Sequence, residues 1–484
     1  MERTISPRST FAPRAGLRPG GLLLAVGLVG AAGCASASGG SAGASASPAP
    51  SAAPAAAAPA APASGVDPRV GLKAGLMDAG EAAWNLEVLS ETPPPDDFVG
   101  KTNSDLAFKG PYAIQGNYDG IQVWDISDPR HPSLVVGYVC PASQSDVSVY
   151  GDLLFVSAEG LGGRLDCGTE GVKERVSAHR IRGIRIFDIS DIADPKYVAN
   201  VQTCRGSHTH SVLVDPKDPD DVYIYVSGSA PVRPADELAG CSGAPRGEDP
   251  NTALFRIEVI RVPLAHPEQA AIVSSPRIFE DLVAPPEHGM APEDVAALEK
   301  AKARGAFVIE HGKAAFVLPD RYADAMLDSI VKERGGAGAP TGADSAALRE
   351  GLQEMMARRF GEAGKGPRPG PTQCHDITLY PAIGRAGGAC EGYGFLLDIT
   401  DPVQPRRMAA VSDSNFSYWH SATFNNDGTR ILFTDEWGGG GQPKCRATDP
   451  REWGADAIFS IEDGGMRFRS YYKLPAAQTS EENC

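Results

Sequence analysis

A short phrase recurs along this chain: an apolar run that ends on Asp-Ile-Ser/Thr-Asp-Pro. It reads Val123-Trp124-Asp125-Ile126-Ser127-Asp128-Pro129. It returns as Ile186-Phe187-Asp188-Ile189-Ser190 with Asp194-Pro195, and as Leu396-Leu397-Asp398-Ile399-Thr400-Asp401-Pro402. Asp and Ser/Thr side chains bond to nearby backbone and proline fixes φ, so the phrase closes a strand on a tight turn. A strand that ends three times on the same turn is a structural repeat. The phrase reports how the chain is built, not what it binds.

Each phrase lies within a unit of four strand signals. The inner strands open at Ser104, Ser145, His210, His375 and His420, each followed by alternating apolar residues. Second strands are expected over Tyr112–Gln115, Leu153–Ser157, Val222–Ser227 and Ile431–Thr434. The third carries the phrase. The fourth is short: Leu134–Tyr138, Tyr197–Val201, Ile272–Ser275, Arg407–Val411 and Tyr471–Leu474. Four antiparallel strands per unit make a propeller blade. The intervals Ser104–Ser145 and His375–His420 fit a blade of about 40–45 residues. The longer intervals between them require insertions. A β-sandwich would not repeat a phrase at this phase. The expected fold is therefore all-β: a β-propeller of four-stranded antiparallel blades over residues 67–484, five of them recognisable. Leu86–Leu89 also reads as an outer strand. Both ends of the chain thus offer the same outer strand, so a ring truncated at its C-terminus is the expectation beside a five-bladed one. Residues 280–373 break the pattern. They form a helical insertion, with helices expected over Pro292–Arg304, Tyr322–Glu333 and Ser345–Arg359 and a hairpin around His311-Gly312.

On these residues the chain resembles the LVIVD-repeat family of bacterial β-propellers, over roughly residues 85–279 and 374–484. The resemblance implies the propeller fold and an exported location. The family carries no single activity, so function must come from the site.

Residues 1–34 read as a lipoprotein-type signal peptide. Arg3, Arg8, Arg14 and Arg18 precede the short apolar run Gly21–Gly30, and Ala31-Ala32-Gly33-Cys34 resembles a lipidation site. Cys34 would carry the lipid. Residues 35–66, almost wholly Ala, Ser, Pro and Gly, are a disordered tether. The expected location is the bacterial cell envelope, on its periplasmic or surface face, with the membrane met only through that lipid. Nine cysteines fit an oxidising compartment. With Cys34 set aside, Cys140, Cys204, Cys374 and Cys484 precede inner strands, while Cys167, Cys241, Cys390 and Cys445 lie between second and third strands. Disulfides should join the two sets. Cys204–Cys241 and Cys374–Cys390 fit, as does the shifted register Cys167–Cys204 and Cys445–Cys484. The formal net charge of −16 disfavours a nucleic-acid partner.

His210, His375 and His420 hold one repeat position and should converge at a channel mouth, with His208 beside them. Glu159, Asp435 and Glu436 end second strands and approach from the side. Imidazoles with carboxylates are ligand chemistry for Zn, Cu or Fe. The candidate metal ligands are His208, His210, His375, His420 and Asp435, with Glu159 or Glu436 as a base. The competing reading is structural: repeat phase alone places polar residues there to bond backbone. Two functions follow. One is a binding module whose ligand, a protein, glycan or small molecule, enters at the histidine-bearing mouth. The other is a metal-dependent hydrolase or oxidoreductase in the same channel. The insertion joins blades on that face, as a lid or as a rim packing. Asp215, Asp218, Asp220 and Asp221 read as a solvated turn rather than a calcium loop.

Overall fold

In the computed structural model the turn phrase acts as its chemistry requires. Asp125 Oδ1 accepts the Ser127 N–H at 2.8 Å, Asp188 Oδ1 that of Ser190 at 2.8 Å, and Asp398 Oδ1 that of Thr400 at 3.0 Å. Each carboxylate thereby ends a third strand and starts the return to a fourth. The structure describes residues 80–245, 247–311, 314–336, 338–360, 370–438, 444 and 446–473, with 68–69 and 72–73. The signal segment, the tether, Cys34, Cys445 and Cys484 lie outside the described residues.

The first blade is β1 (Asn103–Lys109), β2 (Tyr112–Asn117), β3 (Gly120–Asp125) and β4 (Ser133–Val139). The second is β5 (Val147–Tyr150), β6 (Leu153–Ala158), β7 (Gly183–Asp188) and β8 (Lys196–Gln202). The third is β9 (His210–Leu213), β10 (Asp221–Val226), β11 (Glu258–Pro263) and β12 (Ala271–Ser274). The insertion follows: α1 (Pro292–Ala303), the hairpin β13 (Val308–His311) and β14 (Ala314–Val317), α2 (Asp320–Glu333) and α3 (Gly342–Phe360). The fourth blade is β15 (Asp376–Tyr380), β16 (Arg385–Cys390), β17 (Tyr393–Asp398) and β18 (Arg406–Val411). The fifth is β19 (Trp419–Phe424), β20 (Arg430–Asp435), β21 (Asp456–Glu462) and β22 (Gly465–Tyr472). Every blade is a four-stranded antiparallel meander.

The inner strands β1, β5, β9, β15 and β19 neighbour one another in that order. Apolar cores fill the space between successive blades. Ile114 and Val123 meet Val156 and Phe187. Phe155 and Ile186 meet Ile224 and Val262. Tyr225 and Val259 meet Phe395 and Leu397. Ala389 meets Trp419, Ile431 and Phe433. Burial on both faces of a sheet explains why second and third strands read as continuous apolar runs rather than alternating ones. The architecture is the β-propeller, with a helical insertion that carries its own core around Ile309, Leu318, Met326 and Leu352.

Glycine opens two of the third strands for a steric reason. Gly120 and Gly183 have φ of +151° and +147°, and a Cβ on either would lie 2.0 Å from a carbonyl oxygen of the fourth strand. Strands β11, β16 and β21 escaped the sequence reading; β11 and β21 are third strands without the turn phrase. Strand β16 (Arg-Ala-Gly-Gly-Ala-Cys) has no β-branched residue, because a side chain at Gly387 would collide with Ile431 of the next blade at 2.4 Å. Strand β21 pairs with β22 across Asp463-Gly464, both at positive φ, a hairpin signal that moves β22 earlier than expected. Leu86–Leu89 is no strand. Leu86 is 83% and Val88 63% exposed, since the first and fifth blades each already hold four strands of their own.

Three disulfides join the two cysteine sets within single blades: Cys140–Cys167, Cys204–Cys241 and Cys374–Cys390. The shifted pairing Cys167–Cys204 is not formed. Non-reducing peptide mapping should recover these three bridges. Gly183→Ala should lower stability by roughly 3 kcal/mol, since it combines a forbidden φ with a carbonyl clash. Urea denaturation would read this as an earlier midpoint at constant slope, and an unchanged midpoint would contradict the account.

Candidate metal centre

Three loops deliver the site. The first precedes β9. Gly206 has φ +70°, and a Cβ there would lie 2.8 Å from the Glu159 Cα. Only glycine lets this loop cross so close to the end of β6. The crossing is fixed by the Ser207 N–H donating to Ala158 O at 3.0 Å. It sets His208 Nδ1 2.6 Å from Glu159 Oε1, while the Ser229 hydroxyl donates to Glu159 Oε2 at 2.8 Å. The second loop ends at His375, whose N–H donates to Ala389 O at 2.8 Å directly after the Cys374–Cys390 bridge. The third brings His420. Trp419, fully buried against Phe416 and Phe433, anchors the start of β19. A register irregularity between Trp419 and Ala422 lies at His420. Glu436, just past β20, donates its N–H to Tyr418 O at 2.9 Å.

These side chains converge. The His375 and His420 rings lie 3.9 Å apart between centroids, and the His208 ring meets His375 edge-on at 4.7 Å. His420 Nε2 stands 3.7 Å from Glu436 Oε2. Ligating atoms of His375, His420 and Glu436 all lie within 4.8 Å of one another. On a tetrahedral ion such atoms stand roughly 3.3 Å apart, about 2 Å from the metal, so modest rotamer adjustment closes the set. His208, Glu159, His420 and Glu436 each keep 17–27% of their side-chain surface exposed. The cluster therefore opens to solvent on one side.

Electrostatics divide the cluster in two. Burial, then the neighbouring His420 and His208, hold His375 well below the usual imidazole range. Burial, then His208, bring His420 down to about 4. Both rings are neutral near pH 7 and carry the lone pair a metal needs. His208 differs. Burial opposes its charge, yet the Glu159 carboxylate prevails and raises it. Glu159 is in turn held low, because His208 and Ser229 outweigh its burial. A carboxylate on one ring nitrogen, as Glu159 is on His208, is the usual outer support of a metal-ligating imidazole.

Two residues of the sequence-derived set stand elsewhere. The His210 side chain is fully buried, with Nδ1 2.9 Å from both Asp146 Oδ2 and Ser157 Oγ. Thr209 and Ser211 turn toward the fourth blade, bonding His375 O and Ile377 O. Strand alternation then sends His210 toward the second blade, away from the mouth. Asp435 accepts the N–H groups of Ser417, Tyr418 and Gly454 at 2.8–2.9 Å, and so binds loops rather than a ligand. Of the two candidate bases, Glu436 belongs to the ligand cluster and Glu159 holds His208. Deeper in the channel, Asp146 is kept ionised by His210 despite burial, and burial with Asp146 alongside raises Asp105. Sequence reading missed Tyr418, which stands 6.0 Å from His375 and is pushed up by burial and by Glu391 and Glu436. Asp215 and Asp218 hold a turn, accepting Lys217 N–H and Tyr223 O–H.

No family model and no curated protein matches this chain. Similar solved structures include a hypothetical selenium-binding protein from Sulfolobus tokodaii, 11% identical over 77% of this chain and 80% of that one, TM-score 0.32. Kuenenia stuttgartiensis hydrazine synthase is 10% identical over 78% and 67%, TM-score 0.36. The β-propeller domain of Myceliophteria thermophila Cps50 (Swd1) is 8% identical over 76% and 71%, TM-score 0.32. Nothing about ligand or activity is taken from them.

The depressed imidazoles have a signed consequence. The unfolded chain protonates these two histidines near 6.5, whereas the fold resists protonation down to about 4 for His420. Their contribution to stability is therefore complete above pH 6.5 and is lost as pH falls toward 4. His208, raised by Glu159, acts with the opposite sign. His420→Gln, which cannot titrate, should remove roughly 2 kcal/mol of the stability loss between pH 7 and 4. Equal slopes for the variant and the parent in urea titrations across that range would contradict the assignment.

Proposed function

We propose that this chain is an exported, lipid-anchored β-propeller that binds a divalent transition metal at its channel mouth. The ligands are His375, His420 and Glu436, and the Glu159-held His208 stands at the fourth side. One observation carries the reading: an imidazole of the fourth blade and an imidazole and a carboxylate of the fifth present their ligating atoms within 4.8 Å of one another. Neutral nitrogen with one carboxylate suits Zn, Cu or Fe rather than magnesium or calcium. Disulfides agree with an oxidising compartment, and the basic, apolar, Cys34-ended opening agrees with a lipid anchor. As a binding module the propeller offers its ligand this mouth, braced by the Cys374–Cys390 bridge beside His375.

The second reading, a metal-dependent enzyme, is favoured by the His208–Glu159 pair. An imidazole held by a carboxylate beside an open metal position can move a proton to or from a bound water. Metal analysis of protein purified without a His tag tests the first reading. Near-stoichiometric Zn, Cu or Fe is expected, lost in His375→Ala/His420→Ala while circular dichroism stays unchanged. Absence of bound metal, together with no saturable uptake of added Zn²⁺ or Cu²⁺, would overturn it.

A further inference from the structure

The insertion reaches the metal centre through a strap that crosses from the fourth blade to the fifth. Arg407 of β18 donates to the carbonyls of Ile278 and Glu280 at 2.7 Å, fixing where the strap begins. Tyr393 donates to Val283 O at 3.2 Å, and Pro285 packs on Gly392, where any Cβ would collide with it at 2.3 Å. The strap then carries His288 into an aromatic slot. The His288 ring stacks on Trp453 at 3.8 Å with 16° between planes, and meets Trp437 edge-on at 5.6 Å. Its Nδ1 donates to Gly289 O at 2.7 Å, which fixes the ring's rotation. One turn later the acidic start of α1 grips the same loop. Asp294 binds Lys444 at 2.6 Å and Arg446 at 3.0 Å, and Thr448 donates to Glu293 at 2.6 Å. Lys444 also lies 4.9 Å over the Trp437 ring.

Trp437 is the residue after Glu436. Four glycines follow it in sequence. On the far side, Gly454 at φ +66° lets Trp437 pack within 3.4 Å of where a side chain would stand. The position of Trp437 is thus set by what packs on it: His288, Trp453 and Lys444. We propose that His288 is a positioning residue for the metal centre. By seating against Trp453 and Trp437 it holds the start of the loop after β20, and so keeps the Glu436 carboxylate beside His375 and His420. The insertion then acts as a structural tie on one ligand and sets the affinity of the site. This inference rests on the metal reading above.

The test is Co²⁺ titration of the full chain purified without a His tag, read by affinity and by the visible absorption of the bound ion. His288→Ala should weaken Co²⁺ binding about tenfold and alter the spectrum, as removal of outer-shell support typically does. His288→Phe keeps a flat ring in the slot and should restore most of both. Asp294→Asn, which loosens the same joint from α1, should shift both readouts in the same direction. In a Glu436→Ala background, His288→Ala should have no further effect. Hydrogen exchange over residues 446–456 reports the joint independently of metal. Faster exchange in His288→Ala with unchanged Co²⁺ affinity and spectrum would overturn the inference and leave the metal reading standing. A wild-type chain that takes up no Co²⁺ would overturn the metal reading itself.

Discussion

The structure depends on one constraint: successive sheets must bury their facing surfaces against one another. Ile114 and Val123, Phe155 and Ile186, Ile224 and Val259, and Phe395 and Phe433 all pack between blades and leave almost no surface to water. Sheets that stack face to face while twisting fan around an axis and bring their first strands side by side. The inner strands line the channel. Polar side chains at their starts are forced into proximity by the apolar packing further out. The histidine cluster is a by-product of hydrophobic stacking, made of residues that such crowding would otherwise penalise.

That penalty is real and the site retains it. Three imidazoles within a few ångströms cannot all be charged, and burial disfavours charge further. The cluster resolves this unequally. Glu159 raises His208, while burial and the neighbouring rings lower His375 and His420. His375 Nδ1 is buried with no protein partner, which a merely structural histidine would not accept without cost. His210 shows the structural alternative in the same chain. Its ring nitrogen and main-chain N–H both reach Asp146, and Ser157 and Ser207 extend that network. His210 Nε2 is likewise without a hydrogen-bond partner, so the two histidines of one repeat phase differ in neighbours: His210 lies against Asp146 and Ser157, His375 against His420 and His208.

Much of the fold was legible because turns are local chemistry. The Asp of each phrase caps the residue two along, and that bond follows from the residue type. All five inner strands, the three helices and the hairpin of the insertion could be read for the same reason: their signals lie within a dozen residues. What escaped was decided across blades. Strand β16 is glycine-rich to admit Ile431, a residue over forty positions away. His210 opens its strand as read, but its repeat position does not state that its ring turns to Asp146 and Ser157 rather than to the mouth. Sequence assigns Asp435 as a ligand and Glu436 as a base until three backbone N–H groups are found to occupy Asp435. The slot formed by Trp437 and Trp453 is invisible in sequence, because its third wall comes from an insertion some 150 residues earlier.

The insertion is often the place where a repeat protein acquires control, and here its attachment is uneven. Its own core around Met326 and Leu352 makes little use of the propeller. Its described bonds to the blades concentrate in the strap and in the first turn of α1. Acidic side chains at a helix start favour that helix and, in the same geometry, attract Lys444 and Arg446. A buried, many-partner ion cluster is costly to break by halves, since losing one member strands the others. Such a joint holds one register rather than sliding through several. Glu436, next to it, therefore inherits a defined position from an element outside the histidine cluster. On the proposed metal reading, affinity at the mouth would change with substitutions in the insertion that alter none of His375, His420 and Glu436, so a repeat scaffold can retune a site while its blades stay fixed.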